Sequence, residues 1–123
     1  MPGESARKLR VLIVEDEALV AMLIEDMLTD LGHEVAGVAA RVEQAQILAR
    51  ESEIDLAMLD LNLSGQRTDS VAHVLAARGI PFVFATGYGA AGVEDDIWRD
   101  VPVLQKPFQI EDLARAIARV SGR

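Results

Sequence analysis

The chain contains no cysteine. That excludes disulfides, thiolate nucleophiles and cysteine-ligated zinc, and it fits a reducing cytosol. Positive charge is also scarce: 12 Lys+Arg stand against 20 Asp+Glu, a formal net charge of −8. Nonspecific nucleic-acid binding needs clustered cations to displace counterions, and an anionic membrane surface needs a polybasic stretch; the chain offers neither. The longest apolar run, Ala18–Ile24, is far short of the roughly twenty residues of a membrane span. The first residues, Met1 to Ser5, lack the apolar core of a signal peptide. A cytoplasmic protein without nucleic-acid or membrane partners is the expectation.

What is present is a globular balance. Half of the 123 residues are hydrophobic and 26% are charged. One domain of this size can bury a core without metal or disulfide staples. Residues 1–8 read as a frayed N-terminus and residues 9–121 as the domain, with no output domain expected. Leu9–Val14, Glu34–Ala39, Asp55–Leu61, Pro81–Ala85 and Val101–Gln105 read as strands. Between and after them, Ala18–Leu31, Arg41–Glu51, Asp69–Ala77, Val93–Arg99 and Ile110–Val120 carry helical spacing, the fourth weakly. In the first helix the spacing of Leu19, Leu23, Met27 and Leu31, widened by Val20 and Ile24, predicts the buried stripe. Five β-α units imply an α/β fold with a parallel sheet covered on both faces. Ligands of such folds bind at the strands' carboxyl ends, where strand order reverses.

The residues at those ends are not solubility choices. The first strand ends in Glu15-Asp16, the third at Asp60 with Asn62 just beyond, the fourth at Thr86-Gly87 and the fifth at Lys106-Pro107. Convergence of these ends gathers three carboxylates, which repel one another and call for a cation. All-oxygen ligands favour Mg²⁺, or Mn²⁺, over zinc. Asp60 sits in an apolar run, Ala57-Met58-Leu59-Asp60-Leu61, where a carboxylate needs a purpose. Beside a metal it can attack phosphorus and form an aspartyl phosphate. Lys106, one of two lysines in the chain, together with Thr86 and loop N–H groups, can neutralise the transferred phosphoryl.

With these motifs the chain resembles the receiver domain of two-component response regulators, from about Leu9 to Val120. The matching positions are the acidic pair Glu15-Asp16, Asp60, Thr86 and Lys106-Pro107-Phe108. The resemblance implies a flavodoxin-like five-stranded sheet of order 2-1-3-4-5. It implies that Asp60 accepts phosphoryl from a histidine kinase or phosphotransfer protein. Asp16 would bind Mg²⁺ directly, Glu15 through water and Asn62 through its backbone carbonyl, while Lys106, Thr86, Gly87 and Asn62 surround the phosphate. The protein would signal to an unidentified downstream protein rather than act as a turnover enzyme. It would be a monomer, or a weak dimer through the face of the fourth helix, fifth strand and fifth helix.

Three departures from the family pattern stand out. Ser64 replaces the proline many receivers carry before Gly65, which predicts a looser loop. Val103 stands where an aromatic is usual, so the common Thr–aromatic coupling cannot operate as written. Phe84-Ala85-Thr86-Gly87-Tyr88 looks like the signature of a subgroup common in alphaproteobacterial stress signalling, with Gly89 in place of its second aromatic. Tyr88 is the expected substitute in the switch, and Trp98, Val101 and Val103 are candidate partner contacts. Two rivals stay open on sequence. One is a degenerate receiver that binds without phosphorylation. The other is a haloacid-dehalogenase-like phosphatase, disfavoured because its second acid would fall at Asn62.

Overall fold

The computed structural model describes residues 8–87, 93 and 96–121. All but the last residue of the expected frayed segment, and Tyr88 and Gly89, lie outside the described residues. The elements run β1 (Arg10–Val14), α1 (Ala18–Asp30), β2 (Glu34–Ala39), α2 (Val42–Glu51), β3 (Leu56–Asp60), β4 (Asn62–Leu63), β5 (Gln66–Arg67), α3 (Asp69–Ala77), β6 (Phe82–Thr86), a 3₁₀ turn (Asp96–Trp98), β7 (Val103–Gln105) and α4 (Ile110–Ser121). Most ends fall within one or two residues of the sequence expectation, the ordinary fraying of helix and strand termini.

The main sheet has the order β2-β1-β3-β6-β7, and every pairing in it is parallel. This is the expected order, since β4 and β5 form a separate small hairpin. Alternation along the central strands sorts side chains to two faces. Leu12, Val14, Ala57, Leu59, Phe82 and Phe84 pack with α2 and α3. Val11, Ile13, Leu56, Met58, Val83 and Ala85 pack with α1 and α4. Burial on both faces explains why β1 and β3 are almost wholly apolar in sequence.

Two expectations are corrected. In α1 the buried residues are Ala21, Ile24 and Leu28, while Leu19, Met22 and Leu23 are 75%, 56% and 58% exposed. Residues 18–24 are all apolar, so spacing alone could not select the inward face. Where a helix over Val93–Arg99 was expected, the described residues show only the short 3₁₀ turn. That turn delivers Trp98 into the core at 4% exposure. Its ring lies 4.9 Å from that of His73, 5.5 Å from Phe82 and 6.4 Å from Phe84. Trp98 is therefore packed as a core residue in this fold. Val103, half-buried on β7, does border the surface between β7 and α4. Among the described residues, no helix is long and apolar enough to cross a membrane.

Candidate functional site

Strand order reverses beside β1, which pairs with β2 on one side and β3 on the other. The register sets Val14 beside both Ala39 and Leu59, Asp60 beside Ala85, and Thr86 beside Gln105. The next residues along the chain, Glu15, Asp16 and Lys106, therefore emerge at the same edge. The backbone N–H of Lys106 donates to the Thr86 carbonyl at 2.8 Å, which extends the β6–β7 pairing to the lysine itself.

The Lys106 ammonium bridges two strand ends. Its Nζ donates to Glu15 Oε1 at 2.8 Å and to Asp60 Oδ2 at 3.0 Å. Glu15 is 2% exposed and Asp60 9%. Carboxylate oxygens of Glu15, Asp16 and Asp60 all lie within 4.8 Å of one another. Burial pushes the Glu15 carboxyl above its ordinary range, although the hydrogen bonds from Lys106 and from the Glu17 N–H oppose the shift. Burial acts on Lys106 in the opposite sense, to lower it. Its hydrogen bonds to Glu15 and Asp60 and their negative charge outweigh this and raise its pKa, so it is firmly cationic.

A small hairpin completes the rim. Ser64 and Gly65 form its two-residue turn, with φ of 49° and 88°. Positive φ at both positions is the type I′ arrangement, whose twist matches that of paired strands. The expected loosening is not what the fold shows: Ser64 N–H and Oγ both donate to Asp16 Oδ2 at 3.0 Å. Asn62 donates its backbone N–H to Asp60 Oδ1 at 3.2 Å. Its side-chain Oδ1 accepts the Gly65 N–H at 2.8 Å, which ties the amide oxygen to the turn. The buried Thr68 hydroxyl donates to the Asp60 carbonyl at 2.7 Å. The sequence reading missed both Ser64 and Thr68 as site supports. The Ser-Gly dipeptide was the available signal for the first; nothing local marked the second.

Thr86 is buried at the end of β6, and Gly87 follows it exposed. Open space surrounds the position a Gly87 Cβ would occupy, so the backbone there is accessible to a ligand. Beside Lys106 and Gly87 a cleft of about 400 Å³ runs against Val20, Leu23 and Met27 of α1. The structure thus brings Glu15, Asp16, Asp60, Thr86, Gly87 and Lys106 to one edge, and leaves Trp98 and Val103 outside it.

A model of the response regulator receiver domain matches residues 11–118. The chain belongs to this family. The receiver resembles the solution structure of SdrG from Sphingomonas melonis Fr1 with a TM-score of 0.82 and 46% identity, covering 94% of this chain and 97% of that one. A second SdrG structure, of its BeF3-activated conformation, matches with a TM-score of 0.77 over 91% of this chain and 95% of that one. Among curated relatives, the transcriptional regulatory protein PdtaR of Mycobacterium tuberculosis is 33% identical over 98% of this chain, which spans 60% of PdtaR's length. The probable chemotaxis protein CheY of Rhizobium etli is 30% identical, with 95% of each chain covered. The receiver family is a signalling family rather than one of turnover enzymes.

The donor set fits the divalent cation that receivers generally bind at their acidic cluster. Three carboxylates face one ammonium, a surplus of two negative charges when all are ionised. Two carboxylates about 4 Å apart repel by about 4 kcal/mol at an effective dielectric near 20. Only oxygen ligands are offered, the preference of Mg²⁺ or Mn²⁺.

Proposed function

We propose that this receiver takes a phosphoryl group on Asp60 from a histidine-phosphorylated protein and converts it into a change in partner binding. The observation that carries the reading is the Lys106 ammonium held between Glu15 and Asp60, inside a carboxylate cluster at the sheet's switch point. An Asp60 carboxylate oxygen forms the new P–O bond as the P–N bond to the donor imidazole breaks. The electron pair leaves with the imidazole, which takes up a proton. Lys106 then follows the charge from the carboxylate onto the phosphoryl oxygens, and the Thr86 hydroxyl and Gly87 N–H would donate to them.

Glu15, Asp16 and Asp60, with the Asn62 carbonyl, would hold Mg²⁺. When bound, the cation supplies charge neutralisation at the phosphoryl oxygens. The Asn62 N–H on Asp60 Oδ1 and the Thr68 hydroxyl on the Asp60 carbonyl fix the acceptor's position before any donor arrives.

The donor protein would sit on α1. Leu19, Met22 and Leu23 form an exposed apolar surface, and Leu23 also lines the cleft that opens at Lys106 and Gly87. Apolar surface beside a reactive group suits a protein partner better than a free small molecule.

Incubation with Mg²⁺ and acetyl phosphate, read by intact mass, tests this function. One added phosphoryl group is expected, absent with EDTA and absent in Asp60→Asn. An unmodified protein whose amide spectrum also ignores beryllofluoride would overturn the reading.

A further inference from the structure

Ser64 is the residue whose backbone does something unusual for its type. It holds φ at 49°, the left-handed region that favours glycine and strains other residues. Gly65, which bears such a conformation freely, is its neighbour in the same turn. Both donors of Ser64, the N–H and the hydroxyl, reach the same atom, Asp16 Oδ2, at 3.0 Å each. Asp16 follows the last residue of β1 by two and is only half-buried, while Glu15 and Asp60 are buried and hydrogen-bonded by Lys106. Asp16 is thus the member of the carboxylate cluster with least packing to hold its rotamer. The hairpin tip supplies that restraint from 48 residues away in sequence.

We infer that Ser64 is a positioning residue for the cation: by fixing Asp16 through Oδ2, it directs Oδ1 toward the space shared with Glu15 and Asp60 and raises divalent-cation affinity. The inference rests on the reading of those three carboxylates as a cation site. Groups that orient a ligating side chain commonly contribute about 10–100-fold in metal affinity. The rival role on the same contacts is competition, in which the donor pair holds Asp16 away from the cation. Geometry favours orientation, because both donors converge on one oxygen and leave the other to a ligand.

Mn²⁺ binding, followed by the paramagnetic resonance of the free ion at constant ionic strength, separates these roles. The variants are Ser64→Ala, which keeps the amide and loses the hydroxyl, and Ser64→Gly, which also removes the left-handed strain. Orientation by the hydroxyl predicts that both variants bind Mn²⁺ about tenfold more weakly than the parent. Loss in the alanine variant alone would trace the effect to turn strain and overturn the proposal. Unchanged or tighter binding by the glycine variant would overturn it too, the latter by showing competition. Failure of the parent to bind Mn²⁺ would instead strike at the cation reading beneath it, and would take the proposal with it. The glycine variant keeps the test decisive if the alanine variant folds poorly.

Discussion

The two edges of the parallel sheet use similar residues to different ends. At the amino edge, the Arg10 guanidinium donates to Glu34 Oε2 at 2.7 Å and to the Glu53 carbonyl at 2.8 Å, and Asp55 Oδ2 accepts the Arg10 N–H at 2.9 Å. The Arg10 and Glu34 side chains are 44% and 41% exposed. Water screens that pair, and its groups tie down strand starts. At the carboxyl edge, Glu15, Asp60 and Lys106 have side-chain exposures of 1%, 11% and 16%. There the ammonium cannot balance all the carboxylates, and desolvation magnifies the imbalance. Charged clusters alone do not mark a functional edge; burial together with unbalanced charge does.

Removing the central cation of each edge should break the comparison most visibly. Lys106→Met should cost about 3 kcal/mol of folding stability in metal-free buffer, because it strands two buried carboxylates. Arg10→Met should cost under about 1 kcal/mol, as exposed pairs do. Urea unfolding of both variants reads the difference, and equal losses would dissolve the distinction between the edges.

A smaller effect sharpens the carboxyl edge by separating its chemistry from its docking surface. Leu23→Asp should slow phosphoryl transfer from a histidine-phosphorylated donor protein by about tenfold, or ~1.4 kcal/mol. The rate with acetyl phosphate should hardly change, since Leu23 touches the cleft and not the carboxylates. Parallel loss with both donors would remove α1 from the docking surface.

The smallest effect lies behind the edge, at the start of α3. The Arg67 guanidinium, hydrogen-bonded to Asp69 at 2.8 Å, holds that carboxyl below its ordinary value of 3.8, against the opposing effect of burial. The Trp98 indole N–H also donates to Asp69, at 3.4 Å. A carboxylate with a depressed pKa contributes stability above its unfolded pKa and loses it as pH falls through the folded one. Trp98 emission should therefore hold steady down to about pH 4 and change only below it. In Asp69→Asn this acid step should vanish.

These features were not equally legible in the sequence. The parallel sheet and its acidic edge could be read because apolar runs broke off at Glu15-Asp16, Asp60, Thr86 and Lys106, and strand ends at one sheet edge must converge; the strand order came only from the family resemblance. The inward face of α1 could not, because Ala18–Ile24 is apolar all round. The burial of Trp98 could not be read either, because it depends on Phe82 and Phe84, which only the fold brings against its ring. The hairpin over Asn62–Arg67 escaped because strands of two residues leave no periodic trace. Its Ser64 contact to Asp16 spans parts of the chain that the sheet alone brings together.

The measurement that bears most directly on the charge imbalance is unfolding stability as a function of Mg²⁺, for the parent and Asp16→Asn, at constant ionic strength. If the carboxyl edge needs a cation, Mg²⁺ at a hundred times its dissociation constant should stabilise the parent by about 2.7 kcal/mol. Asp16→Asn should lose most of that gain while gaining stability in metal-free buffer from relieved repulsion. A parent whose stability ignores Mg²⁺ would contradict the account.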